Sequence, residues 1–307
     1  MAELMVRDGT WSFDGDHVRI VPGQERGVHR LRQDLGEISV PLTALAGIAY
    51  EPARKGGRLR LRLRDGADPL LYVTGGGLPD DANPYQVTVD PDRTGVAEYF
   101  ADEVRQALLL DQVATGPTDR YLLPGPCVPL SAAGVDGVAT FDGEHVHIEW
   151  RWTTSESKKH AGARDFALAD LDGVDWRPAA GLESGYLRFR PKGLTARLKP
   201  EHDPNAIELW GFKKESGRTA LLAAAVAARL PHPAAPPAPA AGAVTGPATA
   251  PALEKAAGTG TGSGGEGADV LLRRLRELGE LHRDGILTAE EFTAAKAAVL
   301  KDFHGAG

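Results

Sequence analysis

One block of sequence is written twice. Residues Asp8 to Ile20 read DGTWSFDGDHVRI, and residues Asp136 to Ile148 read DGVATFDGEHVHI. Asp-Gly, then Phe-Asp-Gly, an acidic residue, His-Val and a closing Ile recur at identical spacing, 128 residues apart. The chain therefore carries a duplicated domain, and any fold assigned to one copy must serve for both. Its 307 residues suffice for two ordinary domains with appended segments, and apolar and charged fractions of 42% and 25% are those of a globular protein.

Within each block, Phe-Asp-Gly reads as two short strands joined by a tight turn, with Val18 and Ile20 on one face and His17 and Arg19 on the other. In the first repeat Gly23 to Gly36 reads as a polar loop. A strand over Glu37 to Leu42 follows, then the segment Leu45 to Ile48. Arg58-Leu59-Arg60-Leu61-Arg62-Leu63-Arg64 has a strict period of two, the cleanest strand signal in the chain. Pro69 to Thr74 and Tyr85 to Val89 read as further strands. A closing helix capped by Thr94 sets Val96, Phe100, Val104 and Leu108 on one face, widened by Tyr99 and Ala107. The second repeat keeps this order. Leu171 to Val174 matches Leu45 to Ile48, Gly185 to Phe189 matches Gly57 to Leu61, and Asp203-Pro204-Asn205 echoes Asp81-Ala82-Asn83. Its closing helix places Leu222, Val226 and Leu230 along one stripe.

The expected boundaries are a first repeat at 1–113, a Pro-containing connector at 114–127, a second repeat at 128–230, a linker at 231–267 and a helical hairpin at 268–304. The linker is rich in Pro, Ala and Gly and cannot bury a core, so it is read as disordered. As a flexible coil it spans roughly 30 to 35 Å. In the hairpin, Leu271, Leu275, Leu278 and Leu281 share one helical stripe. Thr288 to Glu291 form a capping box that restarts the chain into a second stripe with Phe292, Val299 and Phe303.

About seven short strands closed by one amphipathic helix resemble a pleckstrin-homology-like domain. The duplication, the Phe-Asp-Gly turn and the Leu-x-Gly-Ile/Val segment resemble an uncharacterised actinobacterial family built from two such domains. The Leu275-x-x-Leu278-x-x-Leu281 pattern followed by Asp284-Gly285-Ile286-Leu287-Thr288 and Glu290-Glu291-Phe292 is similar to SHOCT, a short C-terminal domain of bacterial proteins. These resemblances imply an α+β fold: two tandem β-sandwich or barrel domains, each closed by a helix, then the disordered linker and the hairpin. Self-association or docking is what the SHOCT resemblance implies for the hairpin, through Leu271, Leu275, Leu278, Leu281, Phe292, Val299 and Phe303.

The sharpest polar feature is the ladder Arg58, Arg60, Arg62 and Arg64, partly repeated as Arg188, Arg190 and Lys192. Alternation aims these groups from one sheet face, where they are candidates for holding phosphate groups of a lipid headgroup or nucleic acid. The opposing reading is a solvated face, and it has partners to draw on: 13 basic and 17 acidic residues up to Leu110. With no aromatic platforms on that face, and a net charge of −7, nucleic acid is disfavoured. His145, His147 and Glu149 share a strand face at a spacing that can begin a metal site, but His17, Arg19 and Val21 occupy those places in the first repeat, so a polar outer face is expected. Gly75-Gly76-Gly77 lacks the Lys-Ser/Thr and helix start of a phosphate loop. Trp150 and Trp152 read as strand residues on a core face.

No nucleophile, base and orienting group assemble from spacing, so no catalytic, cofactor or metal residues are assigned and no cofactor is expected. Cys127, the single cysteine, excludes an internal disulfide framework and suits a reducing compartment. With no signal-peptide pattern and no apolar run of membrane-spanning length, the expected location is the cytoplasm. The expected function is a non-catalytic binding or scaffold protein, a homo-oligomer or partner-bound through residues 269–303. The alternatives are peripheral binding of anionic lipid or another polyanion through the Arg58 to Arg64 strand face, and an enzyme with a site between the repeats.

Overall fold

The structure is a computed structural model that describes residues 1–152, 154–179, 183–194, 198–209 and 213–235, with backbone alone at 213–216. It is α+β. The hairpin and nearly all of the linker, including all seven candidate assembly residues, lie outside the described residues.

In the first repeat, β1 (Ala2–Val6), β2 (Gly9–Phe13), β3 (His17–Pro22) and β4 (Ile38–Pro41) form an antiparallel sheet in sequence order, with helix α1 (Arg30–Leu35) crossing between β3 and β4. A second antiparallel sheet joins β5 (Leu45–Ala53), β6 (Gly56–Leu63) and β7 (Gln86–Val89), with helix α2 (Pro69–Thr74) between β6 and β7. Helix α3 (Thr94–Leu110) closes the repeat. The second repeat lays down β8 (Leu130–Ala133), β9 (Gly137–Phe141), β10 (His145–Trp150), helix α4 (Glu156–Ala161) and β11 (Arg164–Ala167) as a four-stranded sheet with its helix. Then come β12 (Leu171–Arg177), β13 (Gly185–Pro191) and β14 (Ala206–Leu209), and helix α5 (Lys213–Ala227).

The duplicated turn has one chemistry in both copies. Asp14 Oδ1 accepts the N–H groups of Asp16 and His17 at 2.9 and 2.7 Å, and Asp142 Oδ1 accepts those of Glu144 and His145 at 2.8 and 2.7 Å. Gly15 and Gly143 follow at φ 116° and 117°, which only glycine adopts without strain. These bonds hold both carboxyls below their usual range. The Leu-x-Gly segments also match, since each carries a register irregularity, at Leu45/Gly47 and at Leu171/Gly173.

Several local expectations change. Pro69 to Thr74 is a helix rather than a strand, because Asp68 caps it through the N–H groups of Leu70 and Leu71 and Pro69 suits its first turn. Residues 23–36 contain α1 instead of being loop throughout. Thr94 begins α3 without capping it, and its hydroxyl accepts from Tyr50 instead. The buried face of α3 is Ala97, Phe100, Ala101 and Val104, with Val96 and Tyr99 turned outward. Trp152 is 88% exposed and lies beyond the end of β10, so it is no core residue, and Trp150 is half-buried with its indole donating to Gly162 O. Strand register equates Gln86 with Ala206, so Asp203 corresponds to Asn83 rather than to Asp81.

The largest change concerns α5. A single buried stripe was expected, yet every residue from Thr219 to Ala227 is buried. One side packs on the second repeat's sheets. The other packs on α1 and α2 of the first repeat, so Leu31, Leu70 and Val73 join the second repeat's core. Alanine at 220, 223, 224, 225 and 227 keeps the helix slim enough to sit between them. Each repeat keeps its own sheets among the described residues, but the two form one compact unit. The connector is fastened as well: Leu122 and Leu123 donate main-chain N–H groups to Ala67 O, and Leu123 enters the first core.

Candidate functional site

On β6, Leu59, Leu61 and Leu63 enter the core and Arg58, Arg60 and Arg62 stand on the opposite side, as the alternation predicts, with Arg64 directly after the strand. Their partners differ. Arg58 donates to Asp80 Oδ2 at 2.7 Å, and Arg60 lies 3.8 Å from Asp80 Oδ1. The Arg58 bond is the main reason the Asp80 carboxyl sits below its usual range. Arg64 donates to the carbonyls of Thr43, Gly116 and Pro117, tying the connector down. Arg62 is exposed and has no side-chain partner among the described residues.

The second repeat buries its counterparts further. Arg188 pairs with Asp203 at 2.8 Å, donates to Leu198 O at 2.6 Å and stacks over Tyr186. Arg190 lies 3.4 Å from Asp175, and Lys192 is exposed. The seven candidate anion-binding residues thus occupy equivalent faces of β6 and β13 and their ends, but not one continuous cationic surface. Sequence inspection missed Asp80, Asp175 and Asp203 as partners because none is adjacent in the chain.

Beside Arg58 a polar cleft of ≈ 290 Å³ is lined by Asp8 from the β1–β2 turn, His29 and Arg32 of α1, Asp80 and Asp81, and Gln86 and Thr88 of β7. Asp8 Oδ2 accepts the N–H of Thr88 at 3.2 Å. Arg32 is only 4% exposed, its Nη2 makes one long bond to Asp8 O at 3.5 Å, and its Nε has no partner among the described residues. Burial pulls this guanidinium below its usual pKa, with Asp8 opposing. Gln86 is equally buried; its amide nitrogen donates to Asp80 O while its Oε1 has no partner among the described residues. His29 caps α1, its Nδ1 accepting from Leu31 N–H at 3.2 Å, which leaves Nε2 to carry the proton. None of Arg32, His29 or Gln86 was singled out from sequence. The signal that marks Arg32 is the duplication: a basic residue follows the repeated Asp by 24 positions here and by 22 in the second copy, at Lys158.

The family model described as "Domain of unknown function (DUF4429)" matches residues 11–105 and again residues 139–227. The chain belongs to the DUF4429 family. A second model, described as "Short C-terminal domain" (SHOCT), matches residues 273–300. A search of the curated proteins found no match. The first DUF4429 match contains the whole arginine ladder and Arg32, and the second contains Lys158, Arg188 and Arg190.

Elsewhere in the DUF4429 repeats, His145, His147 and Glu149 lie on the outer side of β10, where His147 Nε2 is 3.4 Å from Glu149 Oε1. No group of three or more His, Cys, Asp or Glu is arranged to hold a metal among the described residues. Where the two repeats meet, a cleft of ≈ 150 Å³ is lined chiefly by apolar groups such as Leu31, Leu78, Pro79, Trp176 and Ala220, with His29 its one titratable side chain. No helix of the described residues is long and apolar enough to cross a membrane.

Proposed function

We propose that this protein is a non-catalytic cytoplasmic scaffold in which two pleckstrin-homology-like repeats form a single head and the C-terminal helical hairpin assembles copies of the chain. The pleckstrin-homology-like reading draws on four strands, then three, then a closing helix, in both copies. The observation that carries the assembly reading is the placement of the SHOCT match at 273–300, past a Pro-, Ala- and Gly-rich stretch that follows one compact unit ending at Pro239. A module joined through such a stretch is free to reorient relative to the head and so to meet the same module of another copy. Leu271, Leu275, Leu278, Leu281, Phe292, Val299 and Phe303 provide its apolar contact stripe.

Light scattering tests this. The full chain is expected to form oligomers at micromolar concentration, a chain stopped at residue 235 is expected to be monomeric, and replacing Leu275 and Leu278 together by Asp is expected to reproduce the shorter chain's mass. A monomeric full chain, or an oligomer indifferent to both changes, would refute assembly through the hairpin.

A further inference from the structure

The two repeats treat one position differently. In the second, Asp136 accepts the main-chain N–H of Glu208, and Lys158, third residue of α4, closes onto its other oxygen and onto Ala206 O with no exposure. In the first, Asp8 accepts the main-chain N–H of Thr88, the register equivalent of Glu208, and Arg32 is the third residue of α1. Arg32 forms no ion pair with Asp8, however; it reaches only the Asp8 carbonyl, at 3.5 Å, and the polar cleft lies alongside. A buried guanidinium lacking full hydrogen bonding is costly, so a position that keeps one beside a cleft calls for a further acceptor.

The charges around the cleft narrow the ligand. Arg58 is taken up by Asp80, which leaves Arg32 in a cleft whose lining also carries the carboxylates of Asp8 and Asp81. A multiply charged phosphate would meet that acidic rim, whereas a molecule carrying both signs matches it. The volume lies at the lower end of small-molecule sites and suits a ligand of amino-acid size. We infer that the first repeat binds a small zwitterion of the amino-acid class, its carboxylate on the Arg32 guanidinium and His29 Nε2 and its ammonium group toward Asp8 and Asp81. The second repeat fills the same position with its own lysine. This site is independent of assembly through the hairpin.

The test is calorimetric titration of the full chain with each free amino acid, and with acetate, methylammonium and inorganic phosphate. At least one amino acid is expected to bind saturably, with acetate and methylammonium at least about tenfold weaker and phosphate silent, because both charges are needed. Arg32→Lys removes the planar fork and Asp81→Asn removes the exposed carboxylate; each is expected to weaken binding about tenfold or more, while Asp172→Asn, on the second repeat, leaves it unchanged. Should Arg32→Lys fail to fold, Asp81→Asn decides. Absence of binding by every amino acid, phosphate binding as tightly as any of them, or indifference to Asp81→Asn would each overturn the assignment.

Discussion

Lys158 Nζ lies 2.5 Å from Asp136 Oδ2, and the lysine is wholly buried beneath the edge of the second repeat. The ammonium group also donates to Ala206 O and sits 4.9 Å from the centre of the Trp150 ring, while Asp136 Oδ1 takes the Glu208 N–H. The pair links the β8–β9 turn, α4 and β14, which are far apart in sequence. Its net contribution over an apolar substitute is small, but severing it strands a charge in the interior. Lys158→Met is therefore expected to destabilise a chain of residues 1–235 by about 3 kcal/mol, and Asp136→Asn by a similar amount. The double variant Lys158→Met with Asp136→Leu is expected to lose much less than the sum. Urea unfolding of all three measures this; additive losses would show that the two residues do not act as a unit.

The burial of α5 on all sides makes the second repeat dependent on the first. Leu70 and Val73 of α2 cover the face of α5 that its own sheets leave open. Leu70→Ala is expected to cost about 2 to 4 kcal/mol, the range for a buried leucine truncated in a packed core. Residues 128–235 alone would expose a row of Ala, Leu and Val and are expected to aggregate or bind a hydrophobic dye where residues 1–235 do not. A soluble, cooperatively unfolding 128–235 fragment would contradict this.

What could be read from sequence was what repeats or alternates. The Phe-Asp-Gly turn, the Arg58 to Arg64 alternation and the helix closing each repeat are local patterns, and the structure keeps them. The second face of α5 was not legible, since Leu222, Val226 and Leu230 mark one stripe and alanine is neutral between interior and surface. Pro69 to Thr74 was misread because its apolar run fits a strand as well as a short buried helix, and the deciding group, Asp68, acts through capping. The polar cleft was hidden for another reason. Asp8, Arg32, Asp81 and Gln86 are dispersed along the chain, and only the strand pairing brings them together.

Acid should loosen both repeats through the same turn. Asp14 and Asp142 have folded pKa values below the usual carboxylate value of 3.8, chiefly because His17 and His145, respectively, donate main-chain N–H groups to them. A lowered folded value means that the stabilisation is fully present above the unfolded pKa and is lost as pH falls through the folded one. Thermal unfolding of residues 1–235 is thus expected to shift downward below about pH 4. Asp14→Asn with Asp142→Asn, which titrate no longer, should flatten that part of the profile. An unchanged acid limb would remove these turns from the account.

The arginine face makes the clearest prediction about membranes. Of the ladder's four arginines, Arg58 and Arg60 share Asp80 and Arg64, just past β6, is spent on three carbonyls, so among the described residues Arg62 alone stands ready for an outside anion. A basic residue near an anionic bilayer contributes about 1 kcal/mol, too little for one residue to hold a protein there. The wild-type chain is expected to stay in solution with phosphatidylserine vesicles at about 0.15 M salt, where surface charges act only over about 8 Å. Asp80→Asn releases Arg58 and Arg60 beside Arg62 and is expected to create salt-sensitive vesicle binding, which reversing Arg58, Arg60 and Arg62 to Glu abolishes. Vesicle binding by the wild type, lost on that reversal, would instead make the ladder a lipid-binding face and favour peripheral lipid binding over the proposed scaffold.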